Sequence, residues 1–248
     1  DYAYSHVHVA ALQDDGRAAE PVDLMAGIRA DCPLPPFGGA EQYNWSPDGK
    51  EIAYTAKVVN NPAESTDSDI YVAALDRTVP TVCLTAGMEG FDTDPTYSPD
   101  GAWIAFHSMQ RGGYEADKNR LMLLDRASRT IRDLTAQLDQ TTHGATWMKD
   151  SQSLVCASEF RGCKQLFRVS IADAGITPLS RGWFDWNVRD ALPDGQTLLV
   201  DSQSMLRPQE LSLLNVQDTT SRPVTAPTRC SGRLCRFRTR SCGRCSLC

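Results

Sequence analysis

The chain has 248 residues, of which 41% are hydrophobic and 23% charged, and its net charge is −6. This length and composition are sufficient for a sizeable folded core. The sequence has no run of about 18 apolar residues and no charged-then-apolar leader, so it predicts neither a membrane-spanning helix nor a signal peptide.

The opening residues resemble segments found later in the chain. Residues 5–12 align with residues 68–75, and residues 22–27 align with residues 82–87. Both later segments are predicted strands, the third and fourth of a repeated unit. The chain is therefore expected to begin inside such a unit, and the missing leader carries no information about the location of the parent protein.

One phrase then recurs at a regular spacing. Residues 45–54 and 97–106 are near-copies that contain Ser-Pro-Asp-Gly, and weaker copies lie at residues 147–155 and 192–199. A period of roughly 40–50 residues built from short strands is typical of propeller blades. The aspartates that mark the four copies are 52, 50 and 44 residues apart; they are Asp48, Asp100, Asp150 and Asp194.

Each repeat contains four predicted strands, with the Ser-Pro-Asp-Gly-type turn between the first two. In that turn proline presets φ, and glycine accepts the positive φ that ends the turn. No stretch shows a sustained apolar period of 3.6 residues, so helix content should be low. The predicted fold is all-β, a partial β-propeller with half a blade plus four four-stranded blades. This incomplete propeller covers residues 1–228, with blades at residues 1–27 (partial), 38–87, 90–137, 140–182 and 184–227.

Two long insertions separate the second and third predicted strands, at residues 57–67 and 109–119. In an up-and-down blade these loops emerge on the face opposite the Ser-Pro-Asp-Gly turns. The connections between blades, such as residues 31–42 and 90–94, emerge there too. Long loops gathered on one face are a usual place for ligand or partner contacts. Insertions that the fold merely tolerates explain the same pattern equally well.

The residues that recur in every repeat are interpreted as structural. The marker aspartates occupy the same place in each blade, which favours turn chemistry over catalysis. An aromatic residue ends the first strand of three repeats, and we expect it to pack between neighbouring blades. These aromatic residues are Trp45, Tyr97 and Trp147.

Motifs that carry chemistry are scarce. The sequence has no Gly-x-Ser-x-Gly elbow, no His-Glu-x-x-His, no phosphate-binding glycine loop and no EF-hand loop. His6 and His8 share one face of a strand, as a metal pair would, but the sequence offers no third ligand. His107 is interpreted as a packed or edge residue, and His143 as a hydrogen-bonded structural residue or, alternatively, a channel-lining one. We predict no catalytic residue, no metal site and no cofactor in this chain.

The cysteines and the last 20 residues stand apart from the repeats. Residues 229–248 contain six arginines, no acidic residue and five of the nine cysteines, so the preceding 228 residues carry a net charge of −12. The terminal Cys-x-x-Cys-x-x-Cys spacing allows a metal site, and the charge allows a basic arm. The Arg/Cys/Ser/Gly bias favours an out-of-frame, non-native tail that is disordered and functionless. Cys156 and Cys163 flank a hairpin and are either cross-strand neighbours or two unpaired residues.

Several stretches resemble a known family, namely residues 45–54, 68–71, 92–95 and 113–121. They are similar to the N-terminal propeller of prolyl-oligopeptidase-family (S9) serine peptidases, in particular the subgroup of dipeptidyl peptidase 5 and acylaminoacyl-peptidase-like enzymes. The Ser-Pro-Asp-Gly repeat is shared with TolB-type propellers, whereas the run Gly-Tyr-Glu-Ala-Asp-Lys-Asn-Arg favours the peptidases. The resemblance covers about residues 5–227.

The resemblance implies a function for the parent protein. In this family the propeller caps an α/β-hydrolase domain, restricts access to a Ser-Asp-His triad and helps to position peptides from which dipeptides are released. The hydrolase domain, which follows the propeller, is absent from this sequence, so the chain alone is expected to be inactive. The implied partner is a peptide substrate, met through that missing domain, and neither nucleic acid nor a membrane is expected as a partner. The implied location is the periplasm or another extracytoplasmic space.

By resemblance, Glu115 and Asp117 are the candidate substrate-binding residues. Related dipeptidyl peptidases use propeller acids to hold the ammonium group of the substrate, and a carboxylate pairs well with a cation in a confined chamber. A local ion pair with Lys118 or Arg120 is the alternative explanation for these acids. The alternative functions are a non-enzymatic, TolB-like propeller that binds protein partners and a generic scaffold.

Overall fold

The computed structural model describes residues 3–225, which form eighteen β-strands in five antiparallel sheets. A single turn of 3-10 helix, Ala40–Gln42, is the one helical element in this part of the chain, which confirms the predicted low helix content. The described residues contain no helix long and apolar enough to cross a bilayer. The tail at residues 229–248, predicted to be non-native and disordered, lies outside the described residues.

The first sheet has only two short strands, β1 (His8–Val9) and β2 (Val22–Asp23). They pair antiparallel, with His8 opposite Asp23, and lie within the two segments that the sequence aligned with third and fourth strands of a unit. Apolar residues beside the strands, such as Met25, pack against the following sheet. The first sheet therefore covers one side of its neighbour.

The other sixteen strands form four sheets of four strands, which we call blades two to five. The strand order within each blade follows the chain, so each blade is an antiparallel meander. Blade two contains β3 (Tyr43–Trp45), β4 (Glu51–Ala56), β5 (Asp69–Ala74) and β6 (Val82–Cys83); blade three contains β7 (Asp92–Tyr97), β8 (Trp103–Ser108), β9 (Arg120–Asp125) and β10 (Ile131–Asp133). Blade four contains β11 (Thr142–Trp147), β12 (Ser153–Phe160), β13 (Cys163–Ser170) and β14 (Ile176–Pro178); blade five contains β15 (Asp185–Ala191), β16 (Thr197–Ser204), β17 (Arg207–Asn215) and β18 (Ser221–Pro223).

Apolar clusters join each sheet to the next along the chain. In β8, Ile104 and Phe106 belong to a cluster shared with blade two, whereas Ala105 belongs to a cluster shared with blade four. Successive side chains of a strand point to opposite faces, so both faces of blade three are covered. This explains the near-continuous apolar character of the middle strands. The sheets confirm the predicted all-β propeller architecture and lie inside the predicted units, whose exact bounds stay a prediction.

The aromatic residues that end the first strands behave differently from one blade to another. Tyr97 and Trp147 are buried, and the Trp147 indole Nε1 donates a hydrogen bond to the Thr96 carbonyl of the preceding blade at 3.1 Å. Trp45 is 49% exposed, so the prediction of packing between blades is wrong for this residue. Within residues 3–225 the preceding sheet consists of β1 and β2, so no described innermost strand covers Trp45.

The Ser-Pro-Asp-Gly segments form the predicted turns. The Ser46 hydroxyl donates to Asp48 Oδ1 at 2.7 Å and accepts from the Lys50 amide at 3.1 Å. Gly49 has a φ of +68°, and its amide donates to the Ser46 carbonyl at 2.9 Å. The marker aspartate of every blade accepts a hydrogen bond from the amide two residues further on. The interpretation of these aspartates as turn residues is confirmed.

Candidate functional site on the loop face

The antiparallel strand order sorts the connections into two faces. The turn face carries the four turns at residues 46–50, 98–102, 148–152 and 192–196. The loop face, at the other end of the strands, carries the connections between second and third strands and those between blades. It therefore collects both insertions, as the sequence predicted; its segments are residues 24–42, 57–68, 84–91, 109–119, 134–141, 161–162, 179–184 and 205–206.

The insertion of blade three is braced by one carboxylate. Asp117 Oδ2 accepts hydrogen bonds from the amides of Gln110 and Arg111, both at 3.0 Å. Asp117 Oδ1 accepts from the Arg111 guanidinium, with the Nη2 atom at 2.9 Å. The Arg111 side chain also lies over the Tyr114 ring, 3.8 Å from its centroid. The Arg111 hydrogen bond holds the pKa of Asp117 at about 2. The carboxylate is therefore ionised at neutral pH and keeps its ion pair with Arg111.

The two predicted substrate-binding acids therefore have different surroundings. Asp117 is engaged within its own loop, whereas Glu115 is exposed and forms no hydrogen bond or ion pair with residues 3–225. The expected alternative pairs are wrong, because the Lys118 ammonium donates to main-chain carbonyls and Arg120 donates to Ser108. The ion pair runs back to Arg111 instead. Substrate binding by Glu115 and Asp117 stays a prediction.

The insertions of blades two and three meet on the loop face. The Gly113 amide donates to the Thr66 hydroxyl at 2.6 Å, and the Lys57 ammonium holds the blade-two loop by donating to the Ser65 carbonyl at 2.7 Å. A pocket of about 460 Å³ lies between this loop and residues 30–35. Its walls are mainly apolar, which is typical of a small-ligand or peptide site.

A buried acid lies beneath these loops at the start of β7. Asp92 is fully buried, and neither carboxyl oxygen has a hydrogen-bond partner within residues 3–225. Burial raises the pKa of Asp92 to about 7; the hydroxyls of Ser108 and Thr85 and the Arg120 charge offset part of this effect, and Asp69 adds to it. The Thr85 hydroxyl donates to Asp69 at 2.8 Å, so its proton is not free for Asp92.

The next acid on β7 is strained. Asp94 has a φ of +56°, which is uncommon for a residue other than glycine, and it lies in a β-bulge between Thr93 and Thr96. Burial raises its pKa, the hydrogen bond from Thr93 lowers it, and the Glu41 charge raises it further. Strained residues of this kind cluster at functional sites, and this one is on an innermost strand of its blade.

The remaining sequence candidates have structural surroundings. His6 Nδ1 lies 2.9 Å from Asp23 Oδ2, and no group of three metal-ligating side chains occurs within residues 3–225. His107 is buried, which favours the packed of its two predicted positions, and His143 pairs with Glu159 at 2.9 Å. Cys156 lies opposite Phe167 rather than Cys163, so the two cysteines are not cross-strand neighbours.

The sequence did not reveal three features of this face: the buried state of Asp92, the Arg111 pairing and the pockets. Residues 92–95 read simply as a polar first strand, and the pairing of Asp117 with Arg111 depends on a loop path that no period specifies. The one feature of this face that the sequence did indicate was the length of the two insertions. A strained backbone position such as Asp94 has no sequence signature apart from the tolerance of aspartate for positive φ.

Four-stranded meanders that share apolar clusters with their neighbours, with long loops on one face, define this protein as a β-propeller of the antiparallel class. Residues 41–229 match the family described as the TolB beta propeller domain. The chain belongs to this family.

Curated relatives connect the chain with one group of peptidases. Dipeptidyl-peptidase 5 of Porphyromonas gingivalis is 31% identical over 87% of this chain and 31% of its own length. Dipeptidyl-peptidase 5 of Porphyromonas endodontalis is 33% identical over 89% of this chain and 32% of its own length. The resemblance to dipeptidyl peptidase 5 is confirmed, and the chain spans about a third of the length of these relatives.

Solved structures confirm the fold. A puromycin-hydrolyzing peptidase from Mycobacterium tuberculosis matches with a TM-score of 0.66 and 19% identity, over 92% of this chain and 36% of its own. TolB from Acinetobacter baumannii matches with a TM-score of 0.56 and 18% identity, over 87% of this chain and 47% of its own. Both identities are low, so these matches concern the propeller architecture alone.

Proposed function

We propose that this chain is the gating and substrate-positioning propeller of a serine-type dipeptidyl peptidase that releases dipeptides from peptide N-termini. The observation that carries the proposal is the 31–33% identity to two dipeptidyl-peptidase 5 sequences over nearly nine-tenths of the chain. The catalytic triad belongs to an α/β-hydrolase domain encoded by the same gene. The propeller contributes access control and recognition, and the enzyme works in the periplasm or another extracytoplasmic space.

Recognition of the peptide amino terminus is assigned to the loop face. Glu115 offers a carboxylate that no residue in 3–225 neutralises, at the tip of a loop that Asp117 and Arg111 hold in shape. A braced loop loses little conformational freedom when a ligand binds, so its carboxylate is pre-organised for an ammonium group. Asp117 is a positioning residue in this scheme, because its oxygens are already occupied by Arg111 and by two amides.

Peptide binding to the 248-residue chain tests this assignment. Calorimetry should show that trialanine binds at least about tenfold more tightly than N-acetyl-trialanine, since a hydrogen bond to a charged group contributes about 1.5–3 kcal/mol. Glu115→Gln should remove the preference for the free amino group. Glu20→Gln changes an equally exposed acid in the β1–β2 connection, at the turn face, and should leave the preference intact. Equal binding of the two peptides would contradict the role of Glu115.

The enzymatic part has its own test. The gene that encodes this chain should also encode a Gly-x-Ser-x-Gly elbow beyond the propeller, and its complete product should hydrolyse dipeptide nitroanilides with a free amino terminus. Substitution of the elbow serine by alanine should abolish this activity. A complete product that lacks the elbow and does not hydrolyse these substrates would overturn the peptidase proposal.

A TolB-like propeller that binds protein partners without catalysis is the second candidate. The family match and the similarity to TolB from Acinetobacter baumannii favour it. It predicts a small α/β domain encoded before the propeller and no hydrolase domain after it. Affinity capture with the complete product, followed by identification of stoichiometric partners, would support this function when the nitroanilide assay is negative.

A further inference from the structure

A second pocket lies on the loop face of blade four, separate from the insertions of blades two and three. The β12–β13 hairpin forms one wall, and the connection from β14 to β15, residues 179–184, forms the other. The pocket has a volume of about 430 Å³, which is in the range of small-ligand sites. None of the residues assigned to amino-terminus recognition lines it.

The connection that forms one wall is held rigidly by a buried glutamine. Gln165 Nε2 donates to the carbonyls of Gly182 and Phe184, at 3.1 and 2.9 Å, and its Oε1 accepts from the Ser180 hydroxyl at 2.8 Å. These bonds tie residues 180–184 to β13, so the wall exists before any ligand arrives. Trp183, within this tied segment, is nevertheless 78% exposed.

The pocket has an aromatic lining that the described chain leaves open. Phe160 is 49% exposed, and its ring meets Phe167 edge-on, with centroids 6.5 Å apart and an interplanar angle of 81°. Trp183 lines the same pocket. Exposed aromatic rings gathered around one concavity favour a ligand with a flat apolar group, because each ring can then form stacked or edge contacts.

Two cations complete the pocket. The Arg161 guanidinium lies 5.2 Å from the centroid of the Phe160 ring, and Arg181 forms no hydrogen bond or ion pair with residues 3–225. No acidic residue of the described chain lines the pocket. The neighbouring acids are engaged elsewhere, Glu159 with His143 and Asp185 with the Lys164 amide. A positive pocket on residues 1–228, whose net charge is −12, selects an anion.

We infer that this pocket binds the carboxyl-terminal end of a peptide whose last residue is aromatic. The terminal side chain would contact Phe160 and Trp183, and the free carboxylate would pair with Arg161 and Arg181. A carboxylate matches the planar donor geometry of a guanidinium. The pocket would accordingly recognise the opposite end of a peptide from the one assigned to Glu115.

Fluorescence polarisation with the full chain tests this inference. The probe is N-terminally fluorescein-labelled Ala-Ala-Ala-Phe, whose blocked amine removes any contribution from amino-terminus recognition. The probe should bind at least about tenfold more tightly than its C-terminal amide and than the Ala-Ala-Ala-Ala analogue. Arg161→Asn and Arg181→Gln should each weaken it by about tenfold; asparagine suits residue 161 because its φ is +54°. Arg29→Gln, at an exposed site away from the pocket, is the matched control.

Thiol protection locates the bound probe. Cys163 lines the pocket and is partly exposed, as is Cys83 of blade two. Saturating Ala-Ala-Ala-Phe should slow alkylation of Cys163 several-fold, measured by mass spectrometry of the digested protein, and leave the rate at Cys83 unchanged. Equal affinity for the carboxylate and the amide, unchanged binding by both arginine variants, or binding without protection of Cys163 would each overturn the inference.

Discussion

Aspartates at the two ends of the blades have opposite electrostatics. On the turn face, hydrogen bonds from Ser46 and the following amide lower the pKa of Asp48, and the Thr197 hydroxyl does the same for Asp194. Beneath the loop face, burial raises the pKa of Asp92 to about 7 and raises that of Asp94. The turn aspartates are thus hydrogen-bonded and exposed, whereas Asp92 and Asp94 at the start of β7 are desolvated.

The difference in aspartate pKa between the two faces separates residues that stabilise the fold from residues that do not. A turn aspartate supplies the hydrogen bonds that its own turn needs, so the same solution recurs in each blade. An unpaired buried carboxyl has a cost in stability, and strained or unsatisfied groups cluster near functional sites. The turns of the turn face support the fold, and the loop face carries the two pockets described above and both proposed recognition sites.

Removing the buried acid should have the largest effect. The pKa of Asp92 is about 7 in the folded protein against an ordinary value of 3.8, so the folded state holds the proton more tightly than the unfolded state. Asp92 alone lowers the free energy of unfolding by about 4 kcal/mol as the pH rises from 3.8 to 7, and its contribution does not vary with pH below 3.8. Asp92→Asn should remove this contribution, because an amide does not ionise.

Urea denaturation at pH 4, 6 and 8 measures this pH dependence. The difference between pH 4 and pH 8 is the readout, since a buried amide has its own cost that is the same at every pH. Asp14→Asn, at an exposed site in the β1–β2 connection, should retain the wild-type dependence. If the change in the free energy of unfolding from pH 4 to pH 8 is the same in Asp92→Asn as in the wild type, then Asp92 is not the buried acid that titrates near neutrality.

A buried histidine on the adjacent strand β8 should give the second largest effect, with the opposite sign. His107 is buried, its Nε2 atom has no hydrogen-bond partner within residues 3–225, and burial lowers its pKa from 6.5 to about 4. The unfolded chain takes up the proton first, so the free energy of unfolding falls by about 3 kcal/mol as the pH drops from 6.5 to 4. His107→Gln should remove this loss.

Stability curves between pH 4 and pH 7 check the histidine prediction. In the wild type the two buried groups act in opposite directions over this range, so the curve should be shallow. In His107→Gln only the Asp92 contribution remains, so stability should fall as the pH rises. In Asp92→Asn only the His107 contribution remains, so stability should rise with pH. The double variant should lack both of these contributions. Parallel curves for the two single variants would contradict the assignment.

The contrast between the faces also marks the limit of sequence reasoning. The turns could be predicted because proline, aspartate and glycine act within four consecutive residues. The exposure of Trp45 could not, because it depends on how much of the preceding sheet exists. The burial of Asp92 depends on packing between blades, and the Arg111–Asp117 pair depends on the path of one loop. Glu115 was found through resemblance to a family, since an exposed acid in a loop carries no signal of its own.

A turn-face substitution should have a moderate effect. Ser98 is fully buried; its hydroxyl accepts from the Trp103 amide at 2.9 Å and donates to Asp100 at 2.6 Å. Ser98→Ala leaves the part-buried Trp103 amide without its partner and should lower the free energy of unfolding by about 1–3 kcal/mol. Thermal and urea denaturation measure this loss. Lys50→Ala, which removes an exposed ion pair with Asp48 at 3.6 Å, should cause no measurable change.

The smallest change in global stability is expected for Asp117→Asn, on the loop face. Asp117 braces a single solvent-exposed loop rather than a contact between blades, so the denaturation midpoint should stay at its wild-type value. Local order should fall, because the Arg111 guanidinium and two amides lose a charged partner. Limited trypsin digestion should cleave after Arg111 several-fold faster than in the wild type. Glu115→Gln, which removes no contact within residues 3–225, should be cleaved at the wild-type rate; equal rates in all three proteins would show that the loop is held by other contacts.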